Sequence, residues 1–219
     1  MSPVAFDPAK GRLQITEPAL AVLVGHTADP VGAAVEAGAA EHIAALQAAG
    51  VIDGGRAHPA VAAALAAIVR PTLCTLELAY SGKAMRGWAS HAAAALLLPA
   101  DADGGEHRTL LSVHPTLLPE ALARLTELGP RPRPAATTPV APGDPAVGPV
   151  RRRWRLSVAW TDEAGADGGG SLELLDAESG LWLLHPDDGG DELAWPVTPT
   201  FAWRHVVRLL MRRPAEPGR

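Results

Sequence analysis

In the first third of the chain, apolar residues recur every three or four positions, which is the spacing of one face of an α-helix. Three helices are predicted, one starting near Thr16, one over 35–49 and one over 59–70. The third is delimited by Pro59, because proline is tolerated in a first helical turn, and by Pro71, because proline does not continue a helix. These helices precede every predicted strand.

From residue 72 the apolar period changes to two, which is the alternation of a half-buried β-strand. In this first strand the side chains of Cys74, Leu76, Leu78 and Tyr80 are predicted to share one face. Further strands are predicted over 88–98, 107–113, 151–160, 171–176, 180–184 and 192–197. One helix is predicted to follow 107–113, and another to follow 192–197.

The two strand-rich stretches resemble each other. VHPT at 113–116 matches VTPT at 197–200, and DGGE at 103–106 resembles DGGD at 188–191. In each stretch the order is aromatic-ended strand, strand, acidic glycine turn, strand, V-x-P-T and helix. The repeat predicts an α+β fold of two β-rich units related by a pseudo-two-fold, each an antiparallel sheet with a trailing helix, preceded by about three helices. The alternative is chance similarity between two alanine- and leucine-rich stretches.

A domain organisation follows from these elements. Residues 1–12 carry few apolar anchors and are expected to fray. Residues 13–129 should hold the helices and the first β-rich half, and 151–212 the second half with its C-terminal helix. Between them, 130–150 is rich in proline and predicts an extended linker, and 213–219 reads as a tail. We expect these parts to form one globular unit.

Composition narrows the function classes. The 219 residues carry a net charge of −5, so the general attraction to phosphates that drives nucleic-acid binding is absent overall. The longest apolar runs are far shorter than the roughly 20 residues that span a bilayer, and no secretory signal is seen at the N-terminus. The sequence therefore predicts a cytoplasmic protein with no membrane partner. Cys74 is the only cysteine and is predicted to be buried and inert.

No motif for catalysis, a cofactor or a metal is found. The eight histidines are scattered, and none forms an H-x3-H or H-E-x-x-H pair. The acidic turn at 101–106 lacks the glutamate at position 12 of a calcium loop, where Ser112 stands. The glycines of 165–170 are followed by a predicted strand, whereas a phosphate cradle needs a helix, so they are interpreted as a flexible hairpin loop. No catalytic residue and no cofactor is predicted.

Two clusters remain open to two interpretations each. Arg151, Arg152, Arg153 and Arg155 could bind nucleic acid or an acidic partner, or they could be the solvated edge of a strand. Five of the six tryptophans lie in the last third of the chain. Among them, Trp182 could belong to a core or to an aromatic docking surface, since tryptophan is enriched at binding hot spots.

Sparse features of the chain resemble one family. The phrase LQAAGVIDGG at 46–55, followed by His58-Pro59 and an apolar helix ending at Pro71, is similar to the EspG-type proteins of actinobacteria. So is the ending Gly180-Leu181-Trp182, then Pro199-Thr200, Trp203-Arg204 and Leu209-Leu210. The resemblance covers roughly residues 13–212. EspG-type proteins are chaperones associated with ESX (type VII) secretion.

The resemblance implies an α+β fold of two pseudo-symmetric halves and a cytoplasmic, non-enzymatic chaperone. Such a chaperone shields the apolar helical tip of a secretion substrate, so the expected partner is a helical secreted protein. We expect a hairpin at 81–86 carrying Met85, and a sheet face bearing Trp182 and Leu184, to contact that partner. Nucleic-acid and small-molecule partners are not expected.

Two other functions stay open at this point. A small enzyme could assemble a site from scattered His, Asp and Glu residues on folding. A DNA-associated regulator could use the helices within 35–69 together with the arginines of 151–155.

Overall fold

The computed structural model describes residues 4–29, 39–100, 106–161, 165–187 and 189–211. The chain divides into two compact units. The first consists of Met1–Thr75 and Met85–Pro115, and the second of Leu76–Ala84 and Thr116–Arg219. This division differs from the expected boundary at 130–150, because the second unit takes in Leu76–Ala84 and then begins again at Thr116. The predicted tail at 213–219 lies outside the described residues.

Five α-helices and twelve β-strands form in the described residues, so the predicted α+β class is confirmed. The helices are α1 (Glu17–Ala28), α2 (Ala39–Ala48), α3 (Pro59–Val69), α4 (Leu118–Leu125) and α5 (Pro199–Leu210). The strands are β1 (Val4–Asp7), β2 (Arg12–Thr16), β3 (Ile52–Asp53), β4 (Arg56–Ala57), β5 (Cys74–Tyr80), β6 (Lys83–Ala89), β7 (Ala94–Leu98), β8 (His107–Val113), β9 (Val150–Thr161), β10 (Asp167–Ala177), β11 (Gly180–Pro186) and β12 (Glu192–Val197).

The repeated order of elements is present along the chain. Four strands, β5 to β8, are followed by α4, and four strands, β9 to β12, are followed by α5. The three predicted helices, α1 to α3, precede both runs. Both α4 and α5 belong to the second unit.

The first unit pairs its strands in the order β1-β2-β8-β7-β6, and the registers between them are antiparallel. Its core lies between these strands and the helices α1, α2 and α3. Leu13 and Ile15 of β2 pack there with Leu23 of α1 and Leu65 of α3. The expectation that residues 1–12 fray is wrong from Val4 onward, because Val4 is buried in the core and β1 pairs with β2 along its whole length.

The helix limits follow the local signals. α1 starts after Thr16, and α3 runs from Pro59 to Val69, just before Pro71. At the start of α3, His58 Nδ1 accepts a hydrogen bond from the Ala60 backbone N–H at 3.1 Å. At the start of α5, the Thr198 hydroxyl accepts one from the backbone N–H of Phe201 at 3.2 Å. These caps satisfy amide groups that have no partner within the helix.

The predicted strand 88–98 is two strands with a turn between them. Ser90 closes the turn, since its backbone N–H donates to the Ala93 carbonyl at 2.8 Å and its hydroxyl donates to the same carbonyl at 3.1 Å. The first part of 88–98 is the end of β6, and the second part is β7. Alanine-rich sequence carries little strand-period information, so local pattern does not reveal this turn.

The second unit pairs its strands in the order β5-β9-β10-β11-β12. α5 packs on β9 and β10 through Ala202, Val206 and Leu209, which are buried. A β-carbon on Gly170 would lie 2.7 Å from Leu209 Cδ2, so the missing side chain lets the helix approach the strand. The interpretation of 165–170 as a flexible loop is therefore wrong from Asp167 onward, where β10 begins.

Cys74 offers a direct test of the folded core. It lies buried in β5, and burial raises the pKa of its thiol to about 11. At pH 8 such a thiol is about 0.1% thiolate, against about a quarter for an ordinary cysteine, and only the thiolate reacts. We expect iodoacetamide to alkylate the native protein at least about 100-fold more slowly than the urea-unfolded protein.

Mass spectrometry of the time course measures this difference. The unfolded chain is the internal control, because it must take up a single label per molecule. Rapid, complete labelling of the native protein at pH 8 would contradict the burial of Cys74.

Candidate protein-binding surface

The three residues expected to contact a partner lie in the interior. Met85 and Trp182 have no exposed surface, and Leu184 is 6% exposed. Met85 is part of β6, which begins directly after the turn at Ser81-Gly82, rather than of a mobile loop. The expectation that these three side chains are exposed is therefore wrong. Met85 is buried within strand β6, whereas Trp182 and Leu184 are buried on one face of β11.

The proline-rich segment 130–149 covers the sheet face that carries Trp182. The segment forms no helix and no regular strand, yet it packs on β10, β11 and β12. The buried cluster beneath it contains residues from the segment and from the three strands: Val147, Leu175, Ala177, Trp182, Leu184 and Ala194. The alternating pattern by itself predicts that this face of the sheet is exposed to solvent. In the structure, the proline-rich segment covers it.

Hydrogen bonds tie Trp182 to this cover. The indole Nε1–H of Trp182 donates to the Ser179 hydroxyl at 3.0 Å, and that hydroxyl donates to the Val147 carbonyl at 2.6 Å. Val140 exchanges two backbone hydrogen bonds with Ala194 of β12, at 3.1 and 2.8 Å. The indole, a polar group in a buried side chain, is therefore satisfied, as buried polar groups generally are.

A buried ion pair holds the start of the same segment. The Arg131 guanidinium donates from Nε to Asp176 Oδ1 at 2.8 Å and from Nη2 to Oδ2 at 2.7 Å. The side chains are 17% and 5% exposed, respectively. The hydrogen bond to Asp176 raises the pKa of Arg131 above its usual value. Bidentate pairs of this kind fix orientation as well as distance.

Gly180 allows the segment to come close. Its φ is +137°, and a β-carbon there would lie 2.5 Å from the Pro132 carbonyl oxygen. Only glycine combines this backbone conformation with that spacing. Gly180 is one of the residues that carried the family resemblance. In the structure it lies against Pro132 and Pro134 of the proline-rich segment.

The arginine cluster is divided between two networks of ion pairs. Arg152 pairs with Glu127 at 2.8 Å, whereas Arg153 contacts Glu173 at 2.6 Å and Glu192 at 3.0 Å. Arg155 also pairs with Glu173. The interpretation as a strand edge is wrong, because β9 lies between β5 and β10 within the second unit. The hydrogen bond to Glu173 raises the pKa of Arg153.

An open cavity of about 540 Å³ lies beside this network, wholly within the second unit. It is lined by the hairpin end 79–84, which includes Tyr80 and Lys83, and by Arg153, Arg155 and Glu173. Burial raises the pKa of Tyr80, and the charge of Arg152 partly opposes that effect. The lining of the cavity therefore places cationic side chains next to a small apolar wall.

Large aromatic side chains are exposed elsewhere on the second unit. Trp195 of β12 is 45% exposed, and Phe201 and Trp203 of α5 are 40% and 38% exposed. Sequence reasoning missed this surface. The available signal was the helical period of α5, in which Ala202, Val206 and Leu209 form the inward stripe and leave Phe201 and Trp203 on its flanks.

Phe201 has a titratable neighbour on the same helix. Its ring centroid lies 5.5 Å from that of His205. Burial and the charge of Arg208 lower the pKa of His205, which favours the neutral form of this imidazole. α5 also contains Arg204 and no acidic residue, which makes its flanks aromatic and basic.

Groups for metal chemistry are not gathered in the part of the chain that the structure describes. No set of three or more His, Cys, Asp and Glu side chains there could hold a metal ion. Within the same residues, none of the helices has the length and apolar character needed to cross a membrane.

The chain is similar to known proteins at the level of structure. No family model and no curated protein matches the chain. Among solved structures, the chain is similar to the type VII secretion system chaperone EspG5 of Mycobacterium tuberculosis, solved in complex with a PE25-PPE41 dimer. The two are 14% identical, the TM-score is 0.61, and the match covers 94% of this chain and 98% of that one. The chain therefore has an EspG-like fold.

Proposed function

We propose that this protein is a chaperone of type VII secretion that binds a helical secreted protein and shields its apolar end. The observation that carries the proposal is the match to EspG5 over almost the whole length of both chains. EspG5 is a chaperone, and its structure was solved with a protein dimer bound to it. A chaperone of this kind would act in the cytoplasm, before its client is exported.

Three exposed aromatic side chains of the second unit support the proposal. Trp195, Phe201 and Trp203 are large side chains that a folded protein exposes at some risk of aggregation. Aromatic residues are enriched where proteins bind each other, and they contribute much of the affinity. An amphipathic client helix presents an apolar stripe that such a surface can cover.

The proposal predicts a stable complex with a client. We expect the protein, co-expressed with a PE–PPE-type dimer encoded in the same genome, to co-elute with it in size-exclusion chromatography. The double variant Phe201→Ser, Trp203→Ser should weaken the complex about tenfold or more, because buried aromatic contacts are the usual hot spots. Isothermal titration calorimetry measures the change in dissociation constant.

A matched control is available in the first unit. Val69 is 40% exposed, as Phe201 is, and Val69→Ser should leave the affinity unchanged. Thermal unfolding of each variant verifies that the fold is retained. The proposed function fails if no dimer from that genome forms a complex. The assignment of the surface fails if the double variant binds as tightly as the unaltered protein.

A further inference from the structure

We propose that the cavity beside the β5–β6 hairpin binds an acidic segment of a partner protein, holding its carboxylates against Lys83 and Arg155. The cavity is separate from the exposed aromatic side chains discussed above. Its volume of about 540 Å³ falls in the range of ordinary ligand sites, which is about 300–1,000 Å³.

The charges that line the cavity do not cancel. Lys83, Arg153 and Arg155 contribute three positive charges, whereas Glu173 contributes the single negative charge among the lining residues. Among the described residues, no ion pair involves Lys83. Glu192 also pairs with Arg153, so the groups at the cavity carry one excess positive charge, in a chain whose net charge is −5.

Glu173 organises the arginines rather than neutralising the site. Its Oε1 accepts from Arg153 Nε at 2.6 Å, and its Oε2 accepts from Arg155 Nε at 2.6 Å. Its side chain is 11% exposed, so this carboxylate is held between the two guanidinium groups. Each guanidinium has five N–H donors in a planar fork, and Glu173 uses only some of them. A positioned guanidinium with spare donors is suited to a second carboxylate.

The remaining wall selects a peptide segment over a bare anion. Ala79 and Ala84 line the cavity with Tyr80, and they offer apolar contact next to the charges. An occupant that mixes Asp or Glu with apolar residues fits this lining, whereas an inorganic anion would leave the apolar wall uncovered. This inference rests on the proposed function for the source of the segment, which we take to be the client.

Synthetic peptides test the cavity without any client. The probes are two fluorescein-labelled, N-acetylated hexapeptides, one alternating Leu and Glu and the other alternating Leu and Lys. Fluorescence anisotropy should show binding of the Glu peptide alone, and raising the salt from about 50 mM to about 500 mM should weaken it, because added ions screen exposed charges. Lys83→Glu should weaken binding about tenfold, and Lys83→Arg should preserve it.

Lys10→Glu is the matched control, since Lys10 and Lys83 are the two lysines of the chain. Lys10 lies in the first unit, and its reversal should leave the affinity for the Glu peptide unchanged. The inference is overturned if the Glu peptide does not bind at millimolar concentration. It is equally overturned if the Lys peptide binds as well, or if Lys83→Glu has no effect. A client complex that forms while the peptide fails refutes this site and leaves the proposed function standing.

Discussion

Replacing Trp182 by alanine is expected to lower the free energy of unfolding by about 3–5 kcal/mol, the usual range for removing a buried large aromatic side chain. Trp182 has no exposed surface and packs with Leu175, Leu184 and Val147. The substitution removes these contacts and also leaves the Ser179 hydroxyl without its indole donor. The proline-rich segment 130–149 should become more mobile together with the core that it covers.

Equilibrium unfolding in urea, followed by far-ultraviolet circular dichroism, measures this effect. Trp195→Ala is the matched control, because Trp195 is exposed on the neighbouring strand β12 and should change the stability by less than about 1 kcal/mol. Trp182→Phe keeps most of the packing volume and loses the hydrogen bond to Ser179. Equal stability of Trp182→Ala and Trp195→Ala would contradict the buried placement of Trp182.

Asp176→Ala should destabilise the protein by about 2–4 kcal/mol. Breaking a buried ion pair by removing one partner commonly costs about 3–5 kcal/mol, and the partial exposure of Arg131 reduces that value. The variant leaves the guanidinium of Arg131 at the sheet without its carboxylate, while its bonds to the Pro130 and Glu127 carbonyls remain. The start of the proline-rich segment should become more mobile.

A double-mutant cycle with Arg131→Ala isolates the pair. We expect a coupling energy of about 1–3 kcal/mol between positions 131 and 176, since the two side chains share two hydrogen bonds. Arg124→Ala is the control, because its pair with Glu120 is on the surface of α4 and should contribute about 0.5 kcal/mol or less. Additive effects of Asp176→Ala and Arg131→Ala would show that the bidentate contact does not stabilise the fold.

The helices and strands that could be predicted from the sequence are determined by residues that lie close together in the chain. Pro59 and Pro71 act on the backbone within one helical turn, so the limits of α3 could be predicted from them. The period-two pattern of 151–160 was enough to identify β9, because side chains alternate between the two faces of a strand. The α+β class and the repeated order of elements follow from these local signals.

Two of the three errors at the candidate site share a physical cause. Trp182 and Leu184 were expected at a surface because alternation predicts that one face of a sheet is solvated. In the folded chain, the segment that contains Val140 and Val147 returns over this face. Nothing in the local sequence of a proline-rich stretch specifies which surface it covers.

The sequence thus determined the class of fold, the two runs of strands that each end in a helix, and the limits of α3, since each of these depends on residues within a few positions of one another. Strands β1 to β4, which precede α3 in the chain, were not predicted. Only the tertiary structure decides which side chains are buried. The burial of Trp182, the pairing of Arg131 with Asp176 and the exposure of Phe201 all depend on contacts between distant segments. Such contacts produce no periodic pattern of apolar residues in the sequence. They also define the surfaces on which a partner can bind.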